Sequence, residues 1–450
     1  MLGDVLLIAL LAAPIVYALA RARGLTREAF LFNEGRTTTL GTAASVVCGN
    51  VGIGTFVAIY LFTEASPLVG VSIVAAYTLG LLVCALFAER IHASAKRTGA
   101  FGLVDLVVTT HGVSRPLLVW LPIAFVFILR TTVQVIALAL ILAGALGLDF
   151  PVAVAVSVVL GGAYVAIGGY KIATETDAVQ ALLILGGVGA ILAAILATGA
   201  PPAPRLDDLG PYGPALLVGI WLFLPLSPIL SIDNWQRIAT AESARAARAG
   251  YLLATPACLF VYAMIAVMAL VGEAGDDVPA LLRDLLPDGL GFIVDLMLVA
   301  AVLSTVDTVV VPLVASLARR GLALARIRLM VIGVFALVGT VAAAIGDILL
   351  GVVAAFNALT VFLPAVAASL FLARPTPLAA VLSLNLGVAA TIALTFVALE
   401  VAALVGFAVA LATYAVAHRY ARPTPALIEI DDASRARLTE GRGPETGDAA

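Results

Sequence analysis

Residues 48–54 read CGNVGIG and interrupt a long apolar run with three glycines and an asparagine. Glycine inside a helix costs about 1 kcal/mol relative to alanine, so this stretch predicts a helix that breaks near its middle. A second interruption lies at FLPLSPILS, residues 223–231, where Pro225 and Pro228 each remove a backbone donor. The two stretches therefore predict two broken helices within apolar surroundings.

The composition of the whole chain is typical of an integral membrane protein. Of 450 residues, 62% are hydrophobic and 12% charged, and mean hydropathy is +1.14, whereas a soluble domain carries roughly 25% charged residues. Apolar runs of about 20 residues predict an all-α integral membrane bundle, because membrane-spanning backbone must satisfy its own hydrogen bonds. A net charge of −3 with scattered basic residues excludes a nucleic-acid partner.

About 13 apolar runs are long enough to be transmembrane helices. If the N-terminus is outside and the C-terminus cytoplasmic, most of the 25 lysines and arginines fall on the inside, Arg237 among them, as the positive-inside rule expects. The predicted location is the cell (inner) membrane. The predicted parts are an extra helix with a cytoplasmic loop (1–39), a first inverted repeat (40–198), a second inverted repeat (199–372), two C-terminal helices (373–420) and a disordered cytoplasmic tail (421–450).

The two breaks lie five apolar runs apart, so that each opens one five-helix half. Inverted-repeat transporters use discontinuous first and sixth core helices in this way, because the exposed carbonyls and half-helix ends bind ions and solute at mid-membrane depth. The alternative is that the glycines only permit close helix packing and the prolines only bend a helix.

Two adjacent hydroxyl residues, Ser304 and Thr305, lie in the apolar run AAVLSTVDTVV, residues 300–310. Hydroxyl oxygens together with the free carbonyls of a broken helix can supply the oxygen ligands that a sodium ion requires. The alternative is that both hydroxyls bond to the carbonyl four residues earlier, which is common in membrane helices.

Three motifs resemble the sodium:solute symporter family. GGYKIATETDAVQ at residues 168–180 is similar to its GG-x-K-A-x-x-x-T-D-x-x-Q signature, NWQRIATAESARAARAG at 234–250 is similar to its QR-x-x-A-A-K-S segment, and AAVLST at 300–305 is similar to its sodium-site helix. They occur in the family order. Glu242 stands where the family usually has lysine, and the Leu, Pro, Ser and Pro residues of the seventh run disfavour a sugar as solute.

The resemblance implies a leucine-transporter-type core of ten helices over residues 40–372. It also implies a sodium site formed by the carbonyls of Cys48, Val51 and Ala301 and the hydroxyls of Ser304 and Thr305. Asp177, in the T-D of the first motif, would then lie on the inner route by which sodium leaves, whereas the alternative is an interfacial acid near Lys171.

Polar residues near the two breaks are the candidates for solute binding. They are Asn50, Thr55, Trp221, Ser227, Ser231 and Asn357. Arg130 and Gln134 share one helix face inside the membrane, where an arginine must face protein or water. Arg130 could attract a carboxylate substrate, or it could be a structural partner of a buried acid, for which Asp307 is our candidate.

The predicted function is sodium-coupled symport of a small organic solute by alternating access, with sodium as the coupling ion and an amino acid, a carboxylate or a similar molecule as solute. The alternatives are a proton-coupled transporter and a solute sensor that keeps the transporter fold. An enzyme is not expected, because the acids within the apolar runs are too few and too isolated to form a catalytic site.

Overall fold

The computed structural model describes residues 2–199, 204, 206–271, 278–318, 322–345, 348–395 and 397–421. The predicted disordered tail lies outside the described residues from residue 422 onward. Described elements are helical, apart from one isolated bridge between Thr37 and Ala241. The α-helices are α1 (Leu2–Arg21), α2 (Arg27–Phe32), α3 (Thr39–Asn50), α4 (Ile53–Ala65), α5 (Pro67–Thr98), α6 (Leu103–His111), α7 (Leu117–Leu146), α8 (Phe150–Thr198), α9 (Pro214–Phe223), α10 (Ile232–Thr240), α11 (Ala244–Val271), α12 (Val278–Asp284), α13 (Phe292–Ala315), α14 (Leu324–Ile345), α15 (Ile348–Leu359), α16 (Leu363–Phe371), α17 (Pro377–Thr395) and α18 (Leu399–Tyr420).

Nine helices in the described part of the chain are long and apolar enough to cross a membrane, and ten if α3 and α4 form one span. This number is lower than the predicted 13 for two reasons. α1 and α9 have apolar segments shorter than 18 residues. α8 is counted once but covers two predicted spans. A straight helix of its 49 residues would be about 74 Å long, more than twice the thickness of a bilayer core. Gly169, at φ 59° and ψ −160°, divides α8 into 150–168 and 170–198.

The first break separates α3 from α4, and the two helices meet at an angle of 53°. Val51 leaves the helical region at φ −102° and ψ 51°, and Gly52 is extended at φ −80° and ψ 163°. The Val51 amide still donates to the Val47 carbonyl, so α3 ends with its last turn closed. The predicted interruption of this helix is present at the predicted residues.

The second break follows α9, where two turns of 3-10 helix span Leu224–Leu226 and Pro228–Leu230. Ser231 is then extended, at φ −88° and ψ 130°, and α10 follows directly. All residues of α10 are buried, so this helix lies inside the bundle. The prediction that Arg237 is a charge in an inside loop is therefore wrong: its side chain is enclosed by the packed helices.

α13 lies at the centre of the bundle and packs against α8, α7, α1 and α3. Its most apolar 18 residues are all buried in protein, whereas only 28% of the corresponding residues of α14 are. The bridge joins the start of α3 to the end of α10, because the Thr37 amide donates to Thr240 and the Glu242 amide donates to Thr37. The two broken helices are thus connected at one end. The first break lies against α13, whereas the second packs against α5.

Candidate functional site

Ser304 and Thr305 extend from α13 toward the end of α3. The Ser304 hydroxyl is 3.3 Å from the carbonyl oxygen of Cys48 and 3.2 Å from that of Ala301. The Thr305 hydroxyl is 3.3 Å from the Cys48 carbonyl and 2.8 Å from the Ala301 carbonyl. Four of the five predicted sodium ligands therefore come together, from two helices, in a buried place. Two carbonyl and two hydroxyl oxygens form the kind of donor set that fits a hard monovalent cation.

The fifth predicted ligand, Val51, lies at the break itself. Its neighbour Gly52 packs against α13, since a methyl group added to Gly52 would lie 2.7 Å from the Thr305 hydroxyl. The unwound backbone is thus in direct contact with the two hydroxyl residues. The role of the Val51 carbonyl as a ligand stays a prediction.

Two buried acids, Asp177 and Asp307, lie beside these four residues. Cys48 Sγ donates to the backbone carbonyl of Asp177 at 3.2 Å, and Asp307 is two residues beyond Thr305 on α13. Within the described part of the chain, neither carboxylate accepts a hydrogen bond. A cation in the same region would stabilise the ionised form of such buried carboxyl groups. The part of Asp177 in sodium exit stays a prediction.

Arg130 connects α7 to both broken helices. Its Nη1 donates to the Ser231 hydroxyl at 2.8 Å, its Nη2 donates to the Gly49 carbonyl at 3.3 Å, and Nη1 lies 3.7 Å from the Asp233 carboxylate. The expected pairing of Arg130 with Asp307 is therefore wrong, because the acid beside Arg130 is Asp233. The Ser231 hydroxyl also donates to this carboxylate.

Asp233 has a second and closer partner, Arg237, whose Nη1 lies 2.5 Å from Oδ2 one helical turn away. Arg237 Nε donates to Ser45 on α3 at 3.0 Å. Charges at this depth are costly unless they are paired, and here two arginines share one carboxylate. This cluster, made of Arg130, Asp233 and Arg237, carries one excess positive charge.

Asn50 lies at the end of α3, where its polar groups are bonded to other helices. The side-chain amide donates to the Val46 carbonyl at 2.8 Å and its oxygen accepts from Tyr77 at 3.2 Å. The side chain also meets Asn234 on α10 at 3.3 Å, and Tyr262 donates to the Asn50 carbonyl at 2.9 Å. These contacts join the two broken helices at the side chain that the sequence assigns to solute binding.

Three adjoining cavities lie between the broken helices and α15. A small recess of ≈ 10 Å³, here called the polar recess, is lined by Arg130, Gln134, Thr305 and the backbone of the first break. An apolar cavity of ≈ 100 Å³ and a third cavity of ≈ 80 Å³ adjoin it and share lining residues with it. Of the predicted solute residues, three line these cavities: Thr55 lines the recess and the apolar cavity, Ser227 the third cavity, and Asn357 the apolar and third cavities.

The other predicted solute residues lie elsewhere. Trp221 on α9 is 48% exposed and lines none of the three cavities. Ser231 is buried, and its hydroxyl accepts a hydrogen bond from Arg130 and donates one to Asp233. Their contact with solute stays a prediction.

Sequence reasoning missed Asp233, Tyr77 and Phe356. Phe356 lines all three cavities, and Tyr77 lines the apolar one. A signal existed for Asp233, because Asp233 and Arg237 are four residues apart, the spacing of an ion pair on one helix face. For the two aromatic residues no local pattern distinguishes a cavity wall from ordinary packing.

The model of the sodium:solute symporter family matches residues 30–200. This match confirms the resemblance for the 168–180 motif, whereas the motifs at 234–250 and 300–305 lie outside the matched residues. No curated protein matches the chain significantly.

Solved transporter structures share the fold. A Na+-coupled sialic acid symporter in a substrate-bound outward-open state is 15% identical, with 95% of this chain and 99% of that chain covered and a TM-score of 0.75. Mhp1, a nucleobase-cation-symport-1 family transporter with bromovinylhydantoin bound, is 14% identical, with 88% and 96% covered and a TM-score of 0.56. A manganese transporter from Eremococcus coleocola is 16% identical, with 89% and 95% covered and a TM-score of 0.54.

Proposed function

We propose that this chain, whose residues 30–200 match the sodium:solute symporter family, is a secondary transporter that carries sodium and a small organic solute together across a membrane. One observation supports this function above the others. The hydroxyls of Ser304 and Thr305 meet the carbonyls of Cys48 and Ala301 where the first broken helix ends. The relatives with this fold are transporters, which agrees with a transport role and not with an enzyme.

Sodium binding at this site would couple the ion to the solute. The ion replaces the weak hydroxyl-to-carbonyl bonds between α13 and α3 with stronger ion–oxygen contacts and so fixes the angle of the break. Because Thr305 and Gly52 also line the polar recess, fixing the break shapes the solute site. The ion gradient supplies the work, since one charge crossing 100 mV releases about 2.3 kcal/mol.

The proposed topology has about 13 spans, with the N-terminus outside and the C-terminus in the cytoplasm of the cell. Ten of these spans form two inverted five-helix repeats, 40–198 and 199–372, one precedes them and two follow. In this topology Gly169 ends one span and begins the next, and α10 is the second half of the sixth core helix. Asp177 lies on α8 next to Cys48, which supports a role for this acid on the route by which sodium would leave.

Sodium-dependent thermal stabilisation of the purified protein tests the proposal. The wild-type protein is compared with the double variant Ser304→Ala, Thr305→Ala in sodium chloride and in choline chloride. The matched control is Ser383→Ala, Thr391→Ala, which removes two buried hydroxyls that also donate to carbonyls, but on α17.

We expect sodium to raise the melting temperature of the wild type and of the control, and not of the site variant. If sodium changes none of the three, the sodium assignment fails. Proton coupling is then the next function to test, by uptake in sodium-free buffer under a pH gradient.

A further inference from the structure

The positive charge of Arg130 is only partly neutralised by its protein neighbours. Asp233 is closer to Arg237, at 2.5 Å, than to Arg130, at 3.7 Å. Two of the five N–H groups of Arg130 donate to Ser231 and Gly49, and within the described residues no further acceptor is seen for the others. A buried arginine of this kind stabilises an anion that lies against its guanidinium group.

The space next to Arg130 is the polar recess. Gln134, one turn along α7, lines it too, and its Oε1 has no hydrogen-bond partner in the described part of the chain. Thr305, a candidate sodium ligand, forms another wall. A ligand in this recess therefore meets a guanidinium group on one side and the sodium position on the other.

The recess adjoins an apolar cavity of ≈ 100 Å³. Thr55 and Phe356 line both spaces, and Ile59, Phe62 and Ile220 are among the other walls of the cavity. No aspartate or glutamate of the described chain lines the recess, the apolar cavity or the third cavity. The site thus offers a cationic end and an apolar end, without a carboxylate to receive an ammonium group.

We infer that the solute is a small organic carboxylate with an apolar body, whose carboxylate lies at Arg130 and whose apolar part fills the cavity beside Ile59, Phe62 and Ile220. This inference rests on the proposed transport function and names the class of solute. A polyhydroxylated solute would leave its hydroxyls unpaired against the apolar walls, which is costly. Sodium and the carboxylate lie on either side of Thr305, so each raises the affinity for the other.

A homologous series of ligands tests the inference in the purified wild-type protein. Binding of acetate, butyrate and hexanoate is measured by thermal shift titration in sodium chloride, with hexanamide as the neutral analogue and gluconate as the hydrophilic carboxylate. Affinity should rise about fourfold for each added CH₂ group. Hexanamide and gluconate should each bind at least about tenfold more weakly than hexanoate, because the first loses the ionic hydrogen bonds and the second the apolar contact.

Two variants separate the ends of the site. Arg130→Gln should remove the preference for hexanoate over hexanamide, and Phe62→Ser should weaken the dependence on chain length while keeping that preference. Phe62 lines the apolar cavity and is partly exposed, so we expect Phe62→Ser to fold. The inference can therefore still be tested with this variant if Arg130→Gln does not fold. The matched control is Arg283→Gln, which changes an arginine paired with Asp295 and lining none of the three cavities.

Three results would overturn the inference: no response to any carboxylate, equal binding of hexanoate and hexanamide, or affinity independent of chain length. The sodium effect without ligand is measured in the same plates. If sodium stabilises the protein but any of these results is found, sodium-coupled symport remains supported and the carboxylate solute is rejected. If sodium has no effect, the proposed function itself is rejected.

Discussion

The Asp233 carboxylate lies 3.7 Å from Nη1 of Arg130, although the two residues belong to α10 and α7. The same carboxylate neutralises Arg237 on its own helix. One acid therefore connects the second broken helix to α7 and to α3, where both arginines make further contacts with Gly49 and Ser45. Its removal should affect several helices at once.

Asp233→Asn should lower the free energy of unfolding by about 3–5 kcal/mol, because it leaves a buried arginine without its counter-charge. Asp295→Asn, which breaks the more exposed pair with Arg283, should cost about 1 kcal/mol or less. Denaturant unfolding in detergent measures both. Equal losses in the two variants would contradict the assignment of Asp233 as the central charge.

Gly49→Ala should prevent stable folding or cost about 3 kcal/mol, because the added methyl group would overlap the guanidinium group of Arg237. The control is Gly186→Ala on α8, where a methyl group meets nothing within 4 Å. That variant should be neutral or slightly stabilising. Expression level and melting temperature of the two proteins measure the difference, and a stable Gly49→Ala protein would show that the arginine does not lie against α3.

Gly169→Ala should be more damaging than Gly147→Ala, although both glycines have positive φ, 59° and 66°. At Gly147 a methyl group meets nothing within 4 Å, so only the backbone conformation costs energy, about 1 kcal/mol. At Gly169 ψ is −160°, a region nearly restricted to glycine, and the methyl group would lie 2.5 Å from the Phe30 carbonyl oxygen. The difference in melting temperature between the two variants measures the combined cost of the more restricted backbone and the clash at Gly169, and equal melting temperatures would contradict the prediction.

His111 at the end of α6 should make stability depend on pH. Burial lowers its pKa from 6.5 to about 4, and its Nε2 lies 2.9 Å from the Tyr414 hydroxyl. As pH falls, the histidine of the unfolded chain takes up its proton before the buried His111 does. The free energy of unfolding therefore decreases below pH 6.5 and should be about 2 kcal/mol lower at pH 5 than at pH 8. His111→Gln should reduce the difference in melting temperature between pH 8 and pH 5. If this difference stays as large as in the wild type, groups other than His111 cause the pH dependence.

The breaks were predictable because glycine and proline act on the backbone where they stand. The stretch at residues 48–54 needs no distant contact to lose its helix, and Pro225 and Pro228 act in the same local way. The Ser304 and Thr305 pair was predictable as well, since the two hydroxyls are adjacent and lie in an apolar run. These parts of the site depend on short stretches of sequence.

Only the Asp233–Arg237 pair of the charged cluster has a local signal, its spacing of four residues, and the rest of the cluster depends on tertiary packing. α10 has only nine residues and carries Asp233 and Arg237, so its hydropathy resembles that of a loop even though the bundle buries it. The partner of Arg130 depends on which helix lies opposite α7, and no local pattern contains that information. Asp307 was the wrong choice for the same reason: it lies on α13 but beside Asp177 and not beside Arg130.

The bridge between Thr37 and Ala241 determines which parts of the two broken helices can move. It joins α3 to α10, and the contacts of Asn50 with Asn234 and of Arg237 with Ser45 hold the same two halves together. These contacts hold α3 and α10 together as one unit. We therefore expect α4 and α9, which line the apolar cavity on the other side of the breaks, to be the halves that move, so that access to the proposed solute site changes at that end.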